Sequence, residues 1–319
     1  MTMIDREKLR PRLCDILGSG PSAVVDPAPR TEKQEDCGSH IRRLVSYQVE
    51  ADDRAYAWLL IPRTMIQGPR PLIMCPHQTK TFGKDGPVGL ADDPQYHYAL
   101  HLVERGFVCF APDEFPAGQR LRRGQKAYDT SFFYQKWPDW SAAGKALWDL
   151  QRALDFLVKY DFGDTSRIGA IGHSLGGHDS MVLAAFDTRI KAAVINCGAT
   201  LLRTDPQRTE FARTDDHDYV YYKRLRPYVN DPEHLPYDFD KLAMLIAPRA
   251  LLMIHALNDE YLQGTAGWFD ASREVSDYYT RLGKPGNFSV HFHRQTHCFP
   301  PEARALAYTW LDRQLKNVP

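Results

Sequence analysis

The sequence predicts an α/β fold, a mostly parallel twisted sheet with helices on both faces, and three observations carry that reading. Short apolar runs bounded by turn residues alternate with longer helical patterns along most of the chain. The run Ile168, Gly169, Ala170, Ile171 passes straight into Gly172-His173-Ser174-Leu175-Gly176 and then into a helical pattern over 180–185. No stretch rich in Pro, Gly and Ser divides the 319 residues, of which 43% are hydrophobic, so 1–319 reads as one domain with a substantial core.

The elements follow in order. Residues 41–49 and 56–61 form an early hairpin around the charged turn 50–54. A strand at 72–75 leads to a helix at 96–105, and a strand at 107–111 leads through a long loop to a helix at 142–160. After the strand at 168–171, strands at 192–196, 250–254 and 288–293 complete the sheet, with helices at 266–282 and 301–315. Two segments fall outside this rhythm. Residues 1–38 read as an N-terminal arm without a sheet pattern, helical or irregular around Leu9 to Leu17. Residues 200–245, rich in Arg, Asp and Tyr and holding Pro206, Pro227, Pro232 and Pro236, read as an inserted lid, or else as a surface loop with short helices.

Charge narrows the choice of partner. The 40 basic and 40 acidic side chains cancel, which favours a small-molecule substrate over nucleic acid or a membrane surface and leaves a homo-oligomer open. The first residues turn charged at once, and no apolar run reaches the length of a signal-peptide core or a membrane span, so the expected location is cytoplasmic. Cys14, Cys37, Cys75, Cys109, Cys197 and Cys298 lack paired spacing and read as free buried thiols. His291 and His293 stand two apart without a cysteine or carboxylate cluster at ligand spacing, so neither a metal nor a cofactor is expected.

Ser174 is the candidate nucleophile. A serine on a sharp strand-to-helix turn sits in a strained backbone conformation, and Gly172 and Gly176 leave room for neighbouring chain. The same turn aims the amide of Leu175 and the positive end of the following helix at a developing oxyanion. Such a serine needs a histidine and an acid, and the α/β-hydrolase order is Ser, then Asp or Glu, then His. The loop after the strand at 250–254 offers Asp259 and Glu260. The loop after the strand at 288–293 offers His297, whereas His291 and His293 share one strand face with Ser289 and read as structural or rim residues. The second oxyanion donor is expected from the loop after 72–75, at the amide of Gln78 or Thr79, with neighbouring His77 either a substrate contact or a loop residue without a role.

With these pieces in order, the chain resembles the dienelactone hydrolase and acetyl xylan esterase group of serine α/β-hydrolases. The resemblance runs through the segments 70–79 with Phe82-Gly83-Lys84, 106–113, 148–157, 166–177 and Asn258-Asp259. It implies an α/β-hydrolase fold, Asp259 as the acid, and a cofactor-free carboxylesterase cutting short-chain or acetyl esters of sugars through an acyl-enzyme. Two features depart from the group. Dienelactone hydrolases proper carry a cysteine where this chain has Ser174, which favours the esterase branch, and the loop with Gln78, Lys80 and Lys84 lacks the usual glycine-rich pattern.

Substrate clues lie in the loop before the helix at 142–160. Arg120 to Arg123 are suited to holding a carboxylate such as a uronic acid, and Trp137 and Trp140 to stacking on sugars or aromatic esters. The plainer alternative has these aromatics packing the loop down, with Arg123 an exposed charge. A peptidase, amidase or lactonase on the same scaffold, and a non-catalytic ligand-binding protein, are the competing functional classes.

Overall fold

The computed structural model describes residues 6–63, 69–91, 93–207, 209–212 and 218–316. Among the described residues nine strands form one sheet: β1 (Arg30–Asp36), β2 (His40–Glu50), β3 (Asp53–Pro62), β4 (Pro71–Met74), β5 (Val108–Pro112), β6 (Asp164–His173), β7 (Ile190–Asn196), β8 (Ala250–Ala256) and β9 (Phe288–His293). Their spatial order is β1-β2-β3-β5-β4-β6-β7-β8-β9. The first three strands and the β3/β5 contact are antiparallel, and every pairing from β5 through β4 to β9 is parallel.

The helices are α1 (Arg6–Leu17), α2 (Tyr98–Glu104), α3 (Ser131–Lys136), α4 (Ala142–Lys159), α5 (Leu175–Phe186), α6 (Thr209–Ala212), α7 (Phe239–Ile246), α8 (Trp268–Arg281) and α9 (Pro301–Leu315). The strand side chains show why both faces need covering. Leu72, Met74, Phe110, Ala170, Ile195 and Met253 enter a core shared with α1, α4, α5, α7 and α8. Their neighbours Ile73, Cys75, Cys109, Ile171, Val194 and Leu252 enter a second core under α2 and α9. Alternation along a strand thus sends every residue of these short runs into one core or the other, which is why they read as continuously apolar. Each fully buried Leu, Ile or Val contributes about 1.5 to 3 kcal/mol to holding the layers together.

Two parts differ from the sequence expectation. Strand β1 lies inside the segment 1–38 that reads as an arm without sheet structure. Its residues Arg-Thr-Glu-Lys-Gln-Glu-Asp are exposed almost throughout and cover no core, so no apolar alternation marks them. Main-chain pairing and cross-strand contacts hold it, including Arg42 to Glu35 at 2.7 Å and Arg43 Nε to Gln34 Oε1 at 2.7 Å, and its charges suit an edge strand. The 200–245 excursion, for its part, is anchored in the core by buried Tyr221, Tyr222, Leu225, Tyr237 and Phe239. Its periodicity is weak because its regular pieces are short, among them the 3-10 turns Lys223–Tyr228 and Pro232–His234.

The six cysteines are free, but only Cys75, Cys109 and Cys197 are buried; Cys14 is exposed on the outer side of α1, and Cys37 and Cys298 are half-buried in loops. Among the described residues, no helix is long and apolar enough to cross a membrane.

Candidate active site

Ser174 stands between β6 and α5 with φ 54° and ψ −124°, a left-handed conformation that a serine adopts only when its surroundings impose it. Those surroundings are main chain. The Ser174 N–H donates to Asn196 O at 2.9 Å, and the His178 N–H closes the first helical turn on Ser174 O at 2.9 Å. A Cβ on Gly172 would fall 2.2 Å from the Gly176 carbonyl, and one on Gly176 would fall 2.1 Å from Pro76 O. The elbow therefore has room for glycine alone at both positions.

The loop after β8 places Asp259, and the loop after β9 places His297. Asp259 Oδ1 accepts the N–H groups of Tyr261 and Leu262, each at 2.9 Å, which fixes its carboxyl, and Oδ2 lies 2.8 Å from His297 Nδ1. The ring nitrogen facing a buried carboxylate carries the hydrogen, so His297 Nε2 is left to accept a proton. Glu260 sits elsewhere: its Oε2 accepts the His297 main-chain N–H at 3.0 Å. His293 is buried on β9, and His291 lies on the same strand face outside the cavity lining.

Ser174 and His297 line one cavity of about 740 Å³ together with Gln78, Thr79, Lys80, Tyr96, His173, Leu175, His178, Gly198, Gln207, Phe211, Tyr219, Tyr221, Glu260, Tyr261 and Leu262. Both loop residues expected to offer an oxyanion amide, Gln78 and Thr79, face this cavity, as does Leu175 at the start of α5. The loop that carries them is clamped. Lys80 N–H donates to Tyr128 Oη at 2.7 Å while that hydroxyl donates to Lys80 O at 2.9 Å, and Tyr98 donates to Pro76 O. Asp113 accepts from Lys84 N at 2.9 Å, Lys84 Nζ at 2.8 Å and Gln119 N at 2.9 Å, tying this loop to the one after β5.

The substrate contacts expected from sequence lie elsewhere. His77 is buried outside the cavity lining, its Nδ1 2.8 Å from Gln78 O and its Nε2 accepting the Glu114 N–H at 3.0 Å, so it braces the loop that carries Gln78 and Thr79. Trp137 and Trp140 meet edge to face at 5.5 Å and pack with Phe133 and Trp148. Arg123 is exposed. Arg120 is buried against Asp149 and Asp53, both at 2.5 Å, and has no guanidinium face to offer a ligand carboxylate. Aromatic and basic composition could not separate anchors from cavity walls, because both roles use the same side chains.

The cavity walls instead come from the excursion and from α5. His178 Nδ1 is 3.0 Å from Asp179 Oδ1 and its Nε2 is 2.9 Å from Tyr222 Oη, while the Tyr221 hydroxyl donates to Asp179. Burial pushes the Asp179 carboxyl up, but the hydrogen bonds from His178 and Tyr221 help outweigh it and keep the group below its ordinary value. Buried Glu114, beside that negative charge, is raised well above the usual carboxylate range and carries the proton. With their polar atoms engaged in this way, His178 and Tyr221 present ring surface to the cavity beside Phe211 and Tyr219.

Two groups among the described residues bring three metal-ligand atoms within 4.8 Å of one another: Cys197, Asp259 and His297, and Glu50, Asp53 and Asp149. In the first, Asp259 and His297 bind each other. In the second, Lys145 Nζ contacts all three carboxylates at 2.6 to 2.7 Å and fills the cation position itself.

The fold and site define a serine carboxylic-ester hydrolase of the α/β-hydrolase class. Residues 107–283, more than half of the chain, match the family model described as glucuronyl esterase, fungi. The chain belongs to this glucuronyl esterase family. The matched span contains Ser174 and Asp259 and ends before His297. The carbohydrate esterase MZ0003, from an unknown prokaryotic organism, is 27% identical over 151 residues, 46% of this chain and 35% of that protein, so the match spans about a third of that relative. YtaP of Bacillus subtilis (strain 168), named provisionally as a hydrolase, is 23% identical over 96% of this chain and 100% of its own. Among solved structures, a glucuronoyl esterase from Solibacter usitatus shares the fold with a TM-score of 0.73 at 17% identity, covering 97% of this chain and 91% of the other.

Proposed function

We propose that the protein hydrolyses esters in which the carboxyl group of a sugar acid of the glucuronate type is joined to an alcohol, through an acyl-enzyme on Ser174. The observation that carries this reading is the 2.8 Å contact between His297 Nδ1 and Asp259 Oδ2 at a cavity shared with the strained Ser174 elbow. His297 Nε2 takes the Ser174 Oγ proton as Oγ attacks the ester carbonyl, and Asp259 stabilises the imidazolium that forms. The amide of Leu175 and that of Gln78 or Thr79 hold the tetrahedral oxyanion. The intermediate collapses by expelling the alcohol, which leaves with the proton from His297. Water, deprotonated by His297, then attacks the acyl-enzyme and releases the free acid and Ser174.

Two features favour a sugar acid over acetate as the acyl half. The family is that of glucuronyl esterases, and a cavity of about 740 Å³ lined by Phe211, Tyr219, Tyr221 and the His178 ring has space and stacking surface for a pyranose. The test is a direct comparison of kcat/KM for benzyl glucuronate and p-nitrophenyl acetate, with glucuronate release followed chromatographically. Preference for the benzyl ester is expected. Turnover of the acetate alone overturns the sugar-acid assignment and returns the substrate to short acyl esters.

A further inference from the structure

Asn196 ends β7 beside the elbow, fully buried, and its side chain makes two contacts that together fix a proton. Its Nδ2 donates to Cys298 O at 3.0 Å and lies 2.7 Å from His173 Nδ1. A carbonyl oxygen only accepts, so the atom facing Cys298 is the amide nitrogen, and His173 Nδ1 is the acceptor of its other hydrogen. Burial, reinforced by His297, His293 and Lys80 nearby, holds His173 neutral. A neutral imidazole whose Nδ1 accepts carries its hydrogen on Nε2.

The His173 ring is packed on both sides, stacked on Tyr96 at 4.6 Å and tilted against His297 at 4.7 Å, so it has little freedom to turn. No hydrogen bond from the described residues engages its Nε2, and the residue lines the cavity containing Ser174. We propose that His173 is a substrate-binding residue whose Nε2–H, set by Asn196, donates a hydrogen bond to a hydroxyl or ring oxygen of the sugar-acid half of the ester. This rests on the sugar-acid reading of the cavity and adds the donor that selects for oxygenated acyl groups over plain alkyl ones.

Two measurements test it. In 15N-resolved NMR of the ligand-free wild type at neutral pH, His173 is expected to show a protonated Nε2 and an unprotonated Nδ1; a protonated Nδ1 overturns the proposal, whatever the substrate proves to be. In kinetics, His173→Leu is expected to lower kcat/KM for benzyl glucuronate about five- to tenfold further than for p-nitrophenyl acetate, with His173→Gln recovering part of the difference. Equal losses on both esters mean that His173 acts only by packing against His297 and overturn the proposal, as does no loss on either. Failure of the wild type itself on benzyl glucuronate is a separate result, which refutes the sugar-acid reading.

Discussion

Glu260 and His297 are joined through the main chain: the Glu260 carboxylate accepts the His297 N–H at 3.0 Å, while the adjacent Asp259 holds the ring. Two neighbouring carboxylates thus hold one histidine at different points, and their contributions separate by mutation. Asp259→Asn reverses the hydrogen bond that sets the tautomer and is expected to lower kcat about 10⁴-fold. Glu260→Gln keeps an acceptor oxygen for the main-chain N–H and is expected to cost no more than about tenfold. Steady-state kinetics of the two variants check the division, and equal losses would show that Glu260 shares the acid's role.

The Asp113 carboxyl sits in a cradle that only glycine leaves open. A Cβ at Gly83, where φ is +56°, would lie 2.2 Å from Asp113 Oδ1, and one at Gly118, where φ is +55°, would lie 2.1 Å from the same atom. Gly83→Ala is therefore expected to destabilise the protein by about 1 to 3 kcal/mol and to lower kcat by displacing the loop that carries Gln78 and Thr79. Chemical denaturation and kinetics on the same preparation read both effects.

His255 lies between the rings of Trp268, at 4.9 Å, and Phe292, at 5.5 Å, and burial brings its pKa from 6.5 down to about 3. Between these values the unfolded chain binds a proton that the folded one refuses. Stability is therefore lost as pH falls from about 6.5 towards 3, at up to about 1.4 kcal/mol per pH unit from this residue. Thermal melts from pH 7 to pH 4 should show a decline that is shallower in His255→Phe.

Glu114 works in the opposite direction. Its proton is retained in the fold by burial and by the neighbouring Asp179, whereas the unfolded side chain ionises above its ordinary value of 4.5. Stability is consequently lost as pH rises from 4.5 towards the raised folded value. Glu114→Gln removes the titration while keeping the side chain's size, so its melting temperature is expected to fall less than that of the wild type as pH rises above about 4.5.

These residues also show how far the sequence could be read. The strands from β4 to β9, the Ser174 elbow and the loops bearing Asp259 and His297 were legible because each depends on local pattern: an apolar run, a turn and the residue at the strand exit. Strand β1 was hidden because an exposed edge strand has no buried face to leave an alternation. The cavity walls were hidden for a different reason. Tyr219, Tyr221 and His178 meet across α5 and the excursion, and their distinction from packing aromatics such as Trp140 is purely tertiary. Arg120 likewise reads as a ligand-binding cation until Asp53 and Asp149 are found against it.

If Ser174 carries the acyl group, its hydroxyl is indispensable, and kcat/KM of Ser174→Ala on the better of the two esters, with circular dichroism and melting temperature recorded alongside, reads this without an intermediate step. A loss of at least about 10⁴-fold with the fold intact is expected. Retention of more than a tenth of the wild-type rate in a folded variant would contradict it.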